Sequence, residues 1–489
     1  MSFDRRFLVD VMDSSGTIIG DGPLQNVQSV SVTETIDEIG SISFSVPASD
    51  SKVIDLVSNE NMVQVRTTDG IIAKGFIHNI GFAFGEGGVP MKTVSGPDLL
   101  YELVHLTTGY NSVYNNLDVK TAIVGTTATT TSLLGSTGWT QGSVEDYGNE
   151  TVEYSAETRF SALAILAQQI GRHIRQGATY QTLDFGVFGA SSGIRITNMH
   201  QLSVATYATT DIAIIGSLTV NTISSDIENR LFPLGKDGFD MRDAEAASAN
   251  ILVMTNHGPN GHSTTCNGAI TAADTSFVIT AVGAIVIGDE LWIGDETDWT
   301  QAHEIVKVTN VAGTTVTILD EFANSFANGT TVIRNPQFYV EDAASQGSYG
   351  VRESCPQFGW IGPADKSANL GQQQTAANAL YAAANARLTR YKDPYKSYTL
   401  DSVLRLPYDL KVGQKARIVF KGAASVFGAP GVTLYEDIDD DFYVVKITRE
   451  WGADGSIVAS LDVSNVNRPT PNNASLVLFN LDTMKWIGL

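Results

Sequence analysis

The stretch that decides the fold covers residues 36–80, IDEIGSISFSVPASDSKVIDLVSNENMVQVRTTDGIIAKGFIHNI. Its segments SISFSV (41–46) and MVQVR (62–66) alternate polar and apolar residues, which is typical of half-buried strands. Asp69-Gly70 favours a tight hairpin because such a turn needs positive φ. Residues 71–80 are therefore predicted to return as a strand, with a bulge or a close backbone approach at Gly75.

The next segment, MKTVSGPDLLYELVH (91–105), predicts a short strand at 91–94 and then a helix. Ser95 is the expected helix cap, and Leu99, Leu100, Leu103 and Val104 form the expected apolar face. Several short strands separated by turns and followed by a helix favour a small antiparallel barrel.

The same pattern recurs towards the other end of the chain. Residues 398–406 are strand-like, and a turn at 409–414 leads into KARIVF (415–420). DFYVVKITRE (441–450) and SIVASLDV (456–463) predict a hairpin through Asp454-Gly455. This recurrence predicts two related barrels, and the alternative is two unrelated antiparallel sheets.

The rest of the chain adds helices and a second kind of β region. ETRFSALAILAQQI (157–170) predicts an amphipathic helix that ends at Gly171, and an alanine-rich helix is expected at 365–391, capped by Asp365 or Ser367. Short strands with Gly or Asn turns fill residues 258–338, including one at Ile285 and Val286. The final apolar residues are expected to dock on a neighbour or on the body.

We therefore predict a mainly β fold with α+β parts: two related antiparallel β-barrels, one small α/β domain and an inserted small all-β module. The predicted division is a first barrel at 1–96, the α/β domain at 97–215, a second barrel with the long helix at 216–257 and 339–465, the inserted module at 258–338 and a C-terminal extension at 466–489.

Composition and net charge exclude several classes of function. The 489 residues carry a net charge of −22, which excludes a surface that coats nucleic acid and disfavours binding to anionic membranes. An acidic surface that repels DNA suits a protein past which DNA slides without sticking. The two cysteines, Cys266 and Cys355, form no disulfide framework and indicate a reducing cytoplasm. No run approaches the ~20 apolar residues of a membrane span.

Candidate metal sites are weak. His303-Glu304 begins like a zinc-protease motif, but Lys307 stands where the second histidine belongs, and the segment is a predicted strand. His257, His262 and Cys266 have a spacing that zinc could use, although a polar loop is favoured because no fourth ligand lies nearby.

Other motifs also lack features that a catalytic or ligand-binding site needs. Residues 189–193 match G-x-S-x-G, but a strand follows where a nucleophile elbow needs a helix, so a hairpin turn is predicted. Residues 85–88 lack the lysine of a phosphate loop. The acidic cluster could bind calcium, but a solvated loop facing a DNA channel or a neighbour's basic patch is favoured; its members are Glu436, Asp437, Asp439, Asp440 and Asp441. We predict no catalytic, cofactor-binding or metal-binding residue, and no enzyme.

Taken in order, eight motifs resemble those of phage tail hub proteins, the baseplate-hub-like proteins at the tip of the tail tube. The motifs are IGSISFSVP (39–47), VQVR with GFI (63–77), VSGPDLLYEL (94–103), ETRFSALAILAQQIG (157–171), ENRLFPLG (228–235), SYGVRES (348–354), DLKVGQKARI (409–418) and DFYVVKITREW (441–451). They span most of the chain except the insertion and the final residues.

The resemblance implies a virion structural protein that carries two related barrels per chain. Three copies would form a homotrimeric ring of six barrels, which would match a six-fold tail tube to a three-fold tip and let DNA pass through during genome ejection. The implied partners are tail tube and distal tail proteins, the tape-measure protein, and tip or fibre proteins. The implied location is the tail tip, after assembly in the host cytoplasm. Some relatives carry endopeptidase or lysozyme domains, and no motif here supports either.

Two other functions stay open at this point. One is a tail-associated enzyme that degrades the cell wall. The other is a receptor- or glycan-binding protein that uses the inserted module, because Trp292 and Trp299 lie in it.

Overall fold

The computed structural model describes residues 7–67, 70–85, 88–110, 112–125, 132–177, 179–198, 212–242, 252–254, 262–295, 302–359, 361–363, 370–420, 438–452 and 456–465. Within these ranges the predicted fold class is confirmed: the chain is mainly β, with barrel-like sheets and four α-helices. The predicted turns at Asp69 and at Asp454-Gly455, the helix caps Asp365 and Ser367, and the extension 466–489 lie outside the described residues.

The first barrel packs two sheets around one apolar core that includes Val32, Phe44 and Val65. One sheet has the order β1-β4-β5, and the other contributes β2-β3-β7-β6. The strands are β1 (Leu8–Met12), β2 (Ser29–Thr35), β3 (Ser41–Pro47), β4 (Met62–Arg66), β5 (Ile71–Phe76), β6 (Asn79–Phe84) and β7 (Pro90–Pro97).

The single strand predicted for residues 71–80 is wrong, because the chain crosses there from one sheet to the other. β5 pairs with β4, whereas β6 pairs with β7. The close approach predicted at Gly75 is confirmed: a Cβ there would lie 2.4 Å from the Pro97 carbonyl oxygen. At Gly96 a Cβ would lie 1.9 Å from the Phe76 carbonyl oxygen, so the crossing admits only glycine at both positions.

A short 3-10 helix, Leu99–Val104, follows β7 and buries Leu99, Leu100 and Leu103. Its cap is Asp98, whose Oδ1 accepts the Leu100 N–H at 2.9 Å. The predicted cap Ser95 is wrong because Ser95 is still inside β7, where it pairs with Ser43.

The α/β domain is built around α2, which is buried on nearly every side. The predicted helix is confirmed: Thr158 caps it by accepting the Ser161 N–H, and Gly171 ends it with φ 70°. β12 pairs in parallel with β9 and antiparallel with β11. The elements are β8 (Ser112–Asp118), α1 (Val119–Val124), β9 (Thr140–Val144), β10 (Asn149–Tyr154), α2 (Arg159–Ile170), β11 (His173–Gln176) and β12 (Thr182–Gly186).

The middle of the chain contains a small sheet and the inserted module. Its elements in chain order are β13 (Ser191–Thr197), β14 (Ile212–Ile214), β15 (Ser217–Ile223), β16 (Arg230–Leu231), β17 (Leu252–Met254), β18 (His262–Thr265), β19 (Ser276–Val278), β20 (Glu290–Gly294), β21 (Glu304–Ala312), β22 (Thr315–Ile318), β23 (Thr331–Arg334), β24 (Gln337–Glu341), α3 (Ala343–Tyr349), β25 (Glu353–Ser354) and α4 (Leu370–Tyr391). α4 packs on the sheet formed by β16, β17, β24 and β25.

The inserted module is a closed six-stranded barrel. Its strands follow the order β18-β23-β20-β21-β22-β19, and a bridge between Cys266 and Ile279 closes the circle. The strand predicted at Ile285 and Val286 is wrong: this segment turns, and the Val286 N–H donates to the side chain of Asp289. Sequence reasoning missed β18 and β23, which are only four residues long.

The second barrel takes strands from two distant parts of the chain. It adds β26 (Tyr395–Val403), β27 (Lys415–Phe420), β28 (Ile438–Trp451) and β29 (Ile457–Ser464) to β13, β14 and β15. Most pairs are antiparallel, but β13 runs parallel to both β14 and β27. A bridge between Ile214 and Leu404 closes this barrel.

Strand pairing differs from the predicted division in two places. β13 and β14 lie before residue 215, yet they complete the second barrel because their apolar residues Ile194, Ile196 and Ala213 join its core. Conversely, α4 and its sheet form a separate core with Leu231, Phe338 and Leu380. Local patterns indicate strands and helices, but they do not show which sheet each one joins.

Candidate functional site

One long strand, β28, belongs to both barrels. It pairs with β27 through residues 438–443 and then with β2 through residues 446–451. β29 pairs along its other side. The two barrels therefore share a continuous run of eight strands in the order β6-β7-β3-β2-β28-β29-β26-β15, which we call the ribbon.

The outer face of the ribbon, opposite the barrel cores, is lined by small hydroxyl side chains. Strand alternation places them there, since their neighbours along each strand are buried. We call this surface the hydroxyl face, and its residues are Ser29, Ser31, Thr33, Ser41, Ser43, Ser45, Thr93, Ser95, Ser217, Thr219, Ser397, Thr399, Thr448 and Ser460.

Hydrogen bonds across neighbouring strands hold these hydroxyls together. The Ser29 and Ser45 Oγ atoms are 2.7 Å apart, and Thr33 and Thr448 Oγ1 are 3.2 Å apart. The Thr399 hydroxyl donates to Asp462 at 2.9 Å. Because each hydroxyl is short and partly satisfied within the sheet, the surface is smooth as well as polar.

The hydroxyl face carries little charge. Among the described residues that share it, Asp401, Glu450 and Asp462 are acidic and Lys446 is basic, and Asp439 and Asp441 add two carboxylates at the β27 end of β28. Around β2, β3, β7 and the end of β28 the face curves into a shallow concavity. Within the described part of this face, no cluster of cations is present that would hold a polyanion.

Behind this face, an ion triad centred on the buried Arg449 joins the two barrels. Arg449 is only 2% exposed; its Nη1 donates to Glu34 at 2.6 Å and its Nη2 donates to the Leu410 carbonyl at 2.8 Å. Lys411 Nζ lies 3.1 Å from the other Glu34 oxygen. Burial raises the pKa of Glu34, but the charges of Arg449 and Lys411 outweigh it and hold this pKa below its ordinary value.

A polar cavity lies where both barrels meet the α/β domain. Arg175 spans it, donating to Asp184 at 3.0 Å and to the Val412 carbonyl at 2.5 Å. Asp98 also lines the cavity, and burial raises the pKa of its carboxyl to about 7 although it accepts the backbone N–H groups of Gly40 and Leu100. The arrangement fixes the domains relative to one another.

The structure does not assemble the zinc site considered from the sequence. His257 lies outside the described residues, and His262 Nε2 is 3.3 Å from the Ala281 carbonyl. Cys266 is buried in the inserted barrel, where burial raises the pKa of its thiol to about 11. Within the described ranges, no three metal-ligating side chains come together.

In the His303-Glu304 motif, the glutamate has a structural role. Glu304 begins β21, and its carboxylate accepts the backbone N–H groups of Ala323 and Asn324. It therefore closes a loop of the inserted barrel. The strand geometry predicted for this motif is confirmed.

The G-x-S-x-G segment, residues 189–193, runs into the start of β13, so a strand rather than a helix continues from it. The predicted hairpin turn is wrong, because β12 and β13 pair in different sheets. Ser192 donates its hydroxyl proton to the Lys415 carbonyl at 2.8 Å and helps to anchor β13 on β27.

The described members of the acidic cluster are in a strand and not in the predicted loop. Glu436 and Asp437 lie outside the described residues, but Asp439, Asp440 and Asp441 are in β28 and pair with β27. They are exposed, and Asp439 lies 2.9 Å from the Arg417 guanidinium. Such exposed pairs stabilise little.

Trp292, one of the two tryptophans that suggested a glycan site, is fully buried against the α4 core. Trp299 lies outside the described residues. Sequence reasoning missed the hydroxyl face, whose signal is visible in SVSVTET and SISFSV: serine or threonine recurs at every outward position of two neighbouring strands.

None of the helices in the described part of the chain combines the length and the apolar composition that a membrane span needs. The fold and its ribbon define a β-rich protein with two fused barrels and a decorating third barrel.

The solved structures that are similar to this chain include two prophage tail proteins and a third protein described as a tail protein. A prophage tail protein from Listeria monocytogenes has a TM-score of 0.49 at 11% identity, with 97% of this chain and 99% of that one covered. The 43 kDa tail protein of a Shewanella oneidensis prophage has a TM-score of 0.48 at 12% identity, covering 94% and 98%. A tail protein from Neisseria meningitidis has a TM-score of 0.46 at 13% identity, covering 96% and 99%. No protein-family model and no curated protein matches the sequence.

Proposed function

We propose that this chain is a structural component of a phage tail tip, in which three copies form a hub ring around the DNA channel. Each chain supplies two barrels, so three chains would supply six positions and adapt a six-fold tail tube to a three-fold tip. The observation that carries this proposal is the ribbon, which joins both barrels and presents one continuous hydroxyl face.

The chemistry of that face suits a channel wall. Proteins that hold DNA do so by neutralising phosphates with Lys and Arg. The hydroxyl face instead combines short Ser and Thr side chains with an excess of carboxylates over lysine, on a chain of net charge −22. A wall of this kind would let DNA pass without binding it during genome ejection.

The role proposed for the chain needs no catalysis. Two of the motifs considered for chemistry contain residues with structural roles, Glu304 and Ser192. The partners would be tail tube and distal tail proteins, the tape-measure protein, and tip or fibre proteins. The site of action would be the virion tail tip, reached after assembly in the host cytoplasm.

The test of the ring is mass photometry followed by cryo-electron microscopy of the purified chain and of assembled particles. A three-fold ring with six barrels around a hole wide enough for DNA, lined by the hydroxyl face, would support the proposal. A monomer in both settings would contradict it. Clearing of peptidoglycan in zymography would favour the cell-wall enzyme instead.

The proposal that the hydroxyl face lines the DNA channel can be tested by substituting lysines into that face. Ser31→Lys combined with Ser43→Lys should convert a ring that does not bind DNA into one that binds it in a salt-dependent way, because each lysine displaces counterions from phosphate. The matched control is Ser276→Lys with Thr309→Lys on the inserted barrel, where both residues are exposed. Fluorescence anisotropy with duplex DNA measures the affinity of each double variant. Equal binding by the two double variants would indicate that the hydroxyl face does not line the channel.

A further inference from the structure

A buried carboxyl lies in the α/β domain, on a strand that packs against α4. Glu150 on β10 is 8% exposed, and its carboxyl group accepts the Nε2–H of Gln169, a fully buried residue of α2, at 2.9 Å. Among the described residues, no lysine, arginine or histidine forms an ion pair with Glu150. An ionised Glu150 would therefore be a buried charge without a cation to balance it.

The charged groups near Glu150 in the α/β domain have partners of their own. Glu145 lies 2.9 Å from the Arg172 guanidinium, which also stacks on the ring of Tyr147 at 4.6 Å. Asp118, at the end of the neighbouring strand β8, caps α1. None of these contacts supplies a positive charge to Glu150.

α4 lies between the α/β domain and the inserted barrel. One part of its surface packs on α2 and β10, and we call this contact the joint. The joint is close, since a Cβ at Gly171 would lie 3.3 Å from Ala386 of α4. The charged groups of α4 near it are also engaged: Arg387 pairs with Glu228 at 2.6 Å, and Arg390 donates to the Arg172 carbonyl at 3.4 Å.

Another part of the α4 surface belongs to the core that buries Trp292 of the inserted barrel. Ile333, from a neighbouring strand of that barrel, joins the same core. The position of the inserted barrel relative to the α/β domain therefore depends on how α4 is held at the joint.

The surroundings of Glu150 favour its neutral form. Burial raises the pKa of this carboxyl to about 7, although the hydrogen bond from Gln169 lowers it. The closed joint thus binds the proton more tightly than an open joint, in which water would solvate the ionised carboxylate. The stability that this group contributes is full below the ordinary glutamate value and is lost as the pH rises to about 7.

We propose that the joint is a proton-dependent device, tight when Glu150 carries its proton and loosened when the proton is lost. Loosening would let α4 and the inserted barrel, which share one core, move relative to the two larger barrels. The inserted barrel would be held rigidly in acid and would adjust its position at neutral pH. The device acts within one chain and does not depend on the ring proposed above.

Hydrogen exchange of α2, β10 and α4 tests the joint, after correction for the intrinsic effect of pH on exchange. From pH 5 to pH 8, opening of the wild-type joint should increase on the order of 50-fold, because the open state favours the ionised carboxylate. Glu150→Gln retains an acceptor oxygen for Gln169 and has no proton to lose, so it should abolish this increase. The matched control is Glu145→Gln, whose carboxylate is 39% exposed and paired with Arg172, and it should keep the increase.

Fluorescence energy transfer measures the movement of the inserted barrel. In a Cys355→Ser background, Ile54→Cys and Thr309→Cys place one dye on the first barrel and one on the inserted barrel, at exposed positions. The distribution of distances should be wider at pH 8 than at pH 5. The addition of Glu150→Gln should keep it narrow at both values.

Three outcomes would overturn the inference. A wild-type joint whose opening is constant from pH 5 to pH 8 contradicts the device, even if Glu150→Gln fails to fold. An equal increase in the wild type and in Glu150→Gln assigns the pH response to another group. A joint that loosens while the distance distribution stays narrow contradicts the movement of the inserted barrel.

Discussion

The inserted barrel and the two larger barrels solve the problem of sheet edges in opposite ways. The inserted barrel closes on itself through the bridge between Cys266 and Ile279, so its six strands form a circle. The larger barrels instead donate strands to the ribbon, which joins them through β2 and β28 and leaves β6 and β15 at its ends.

This difference suits the inserted barrel to decorating the surface and the ribbon to assembly. A closed barrel offers loops and side chains to its surroundings, whereas an open ribbon also offers its backbone. The inserted barrel is anchored through side chains: Trp292 is buried against the α4 core, and Arg242 reaches Glu290 at 3.0 Å. We therefore expect changes inside the inserted barrel to remain local and changes in the ribbon to affect assembly.

The largest effect is expected at the junction of the two barrels. Arg449→Ala leaves Glu34 buried with only Lys411 as its cationic partner, and the loss of one partner of a buried pair costs roughly 3–5 kcal/mol in the free energy of unfolding. Chemical denaturation measures this cost. The matched control is Arg417→Ala, whose pair with Asp439 is nearly half exposed and should cost less than about 1 kcal/mol. Equal costs would show that the triad does not hold the barrels together.

A smaller and local effect is expected in the inserted barrel. Phe322 is 1% exposed and packs edge-to-face on Phe277 and Phe326, so Phe322→Ala should cost about 3 kcal/mol. Hydrogen exchange should increase within residues 262–334, while the ribbon and the oligomeric state are unchanged. The matched variant Phe442→Ala, in the second barrel beside Tyr398, should loosen the ribbon instead. Loss of oligomers with Phe322→Ala would contradict the separation.

The pH dependence of the two regions should have opposite signs. The pKa of Asp98 in the first barrel is raised to about 7 by burial, so the folded state binds this proton more tightly than the unfolded chain. Stability from this group is therefore full below about pH 4 and falls as pH rises towards 7. In the inserted barrel, burial raises the pKa of Asp289, but hydrogen bonds from Arg334, Val286 N–H and Asn335 outweigh it and lower the pKa. Its contribution is lost as the pH falls below the ordinary aspartate value.

Asp98→Asn gives the smallest expected change. The amide offers one acceptor oxygen to two backbone N–H donors, so the variant should be about 1 kcal/mol less stable than the wild type at pH 4. This deficit should shrink as pH rises to 7, because the variant has no proton to lose. Hydrogen exchange of the first barrel at several pH values measures both trends, and a deficit that is constant with pH would show that Asp98 does not titrate in this range.

Local patterns predicted those parts of the fold that depend on neighbouring residues. Local patterns placed β4 and β27 at their observed bounds, and the helix stop at Gly171 is confirmed. The sheet crossing inside 71–80 was missed because the apolar residues continue through Ile77, which is buried in the core of the first barrel.

The sharing of β28 could not be predicted, because it depends on pairing across most of the chain. Nothing in residues 441–451 distinguishes a strand that serves one sheet from a strand that serves two. The same limit applies to the hydroxyl face: the outward serines of β2 and β3 were visible, but only the fold aligns them with Thr399 and Ser460 on strands from the other barrel.

The pairing of β2 with β28 has a consequence for biosynthesis. Thr33 and Thr448, which hydrogen-bond across this junction, are 415 residues apart in the chain. At roughly 5–20 residues per second, a ribosome needs on the order of 20–80 s to travel that distance. During this time the β2 edge of the emerging first barrel lacks its final strand, and a neighbouring nascent chain could supply β28 in its place. Slow translation of the segment before residue 438, or a chaperone that covers β2, would therefore change the yield of correctly joined barrels without altering the native structure.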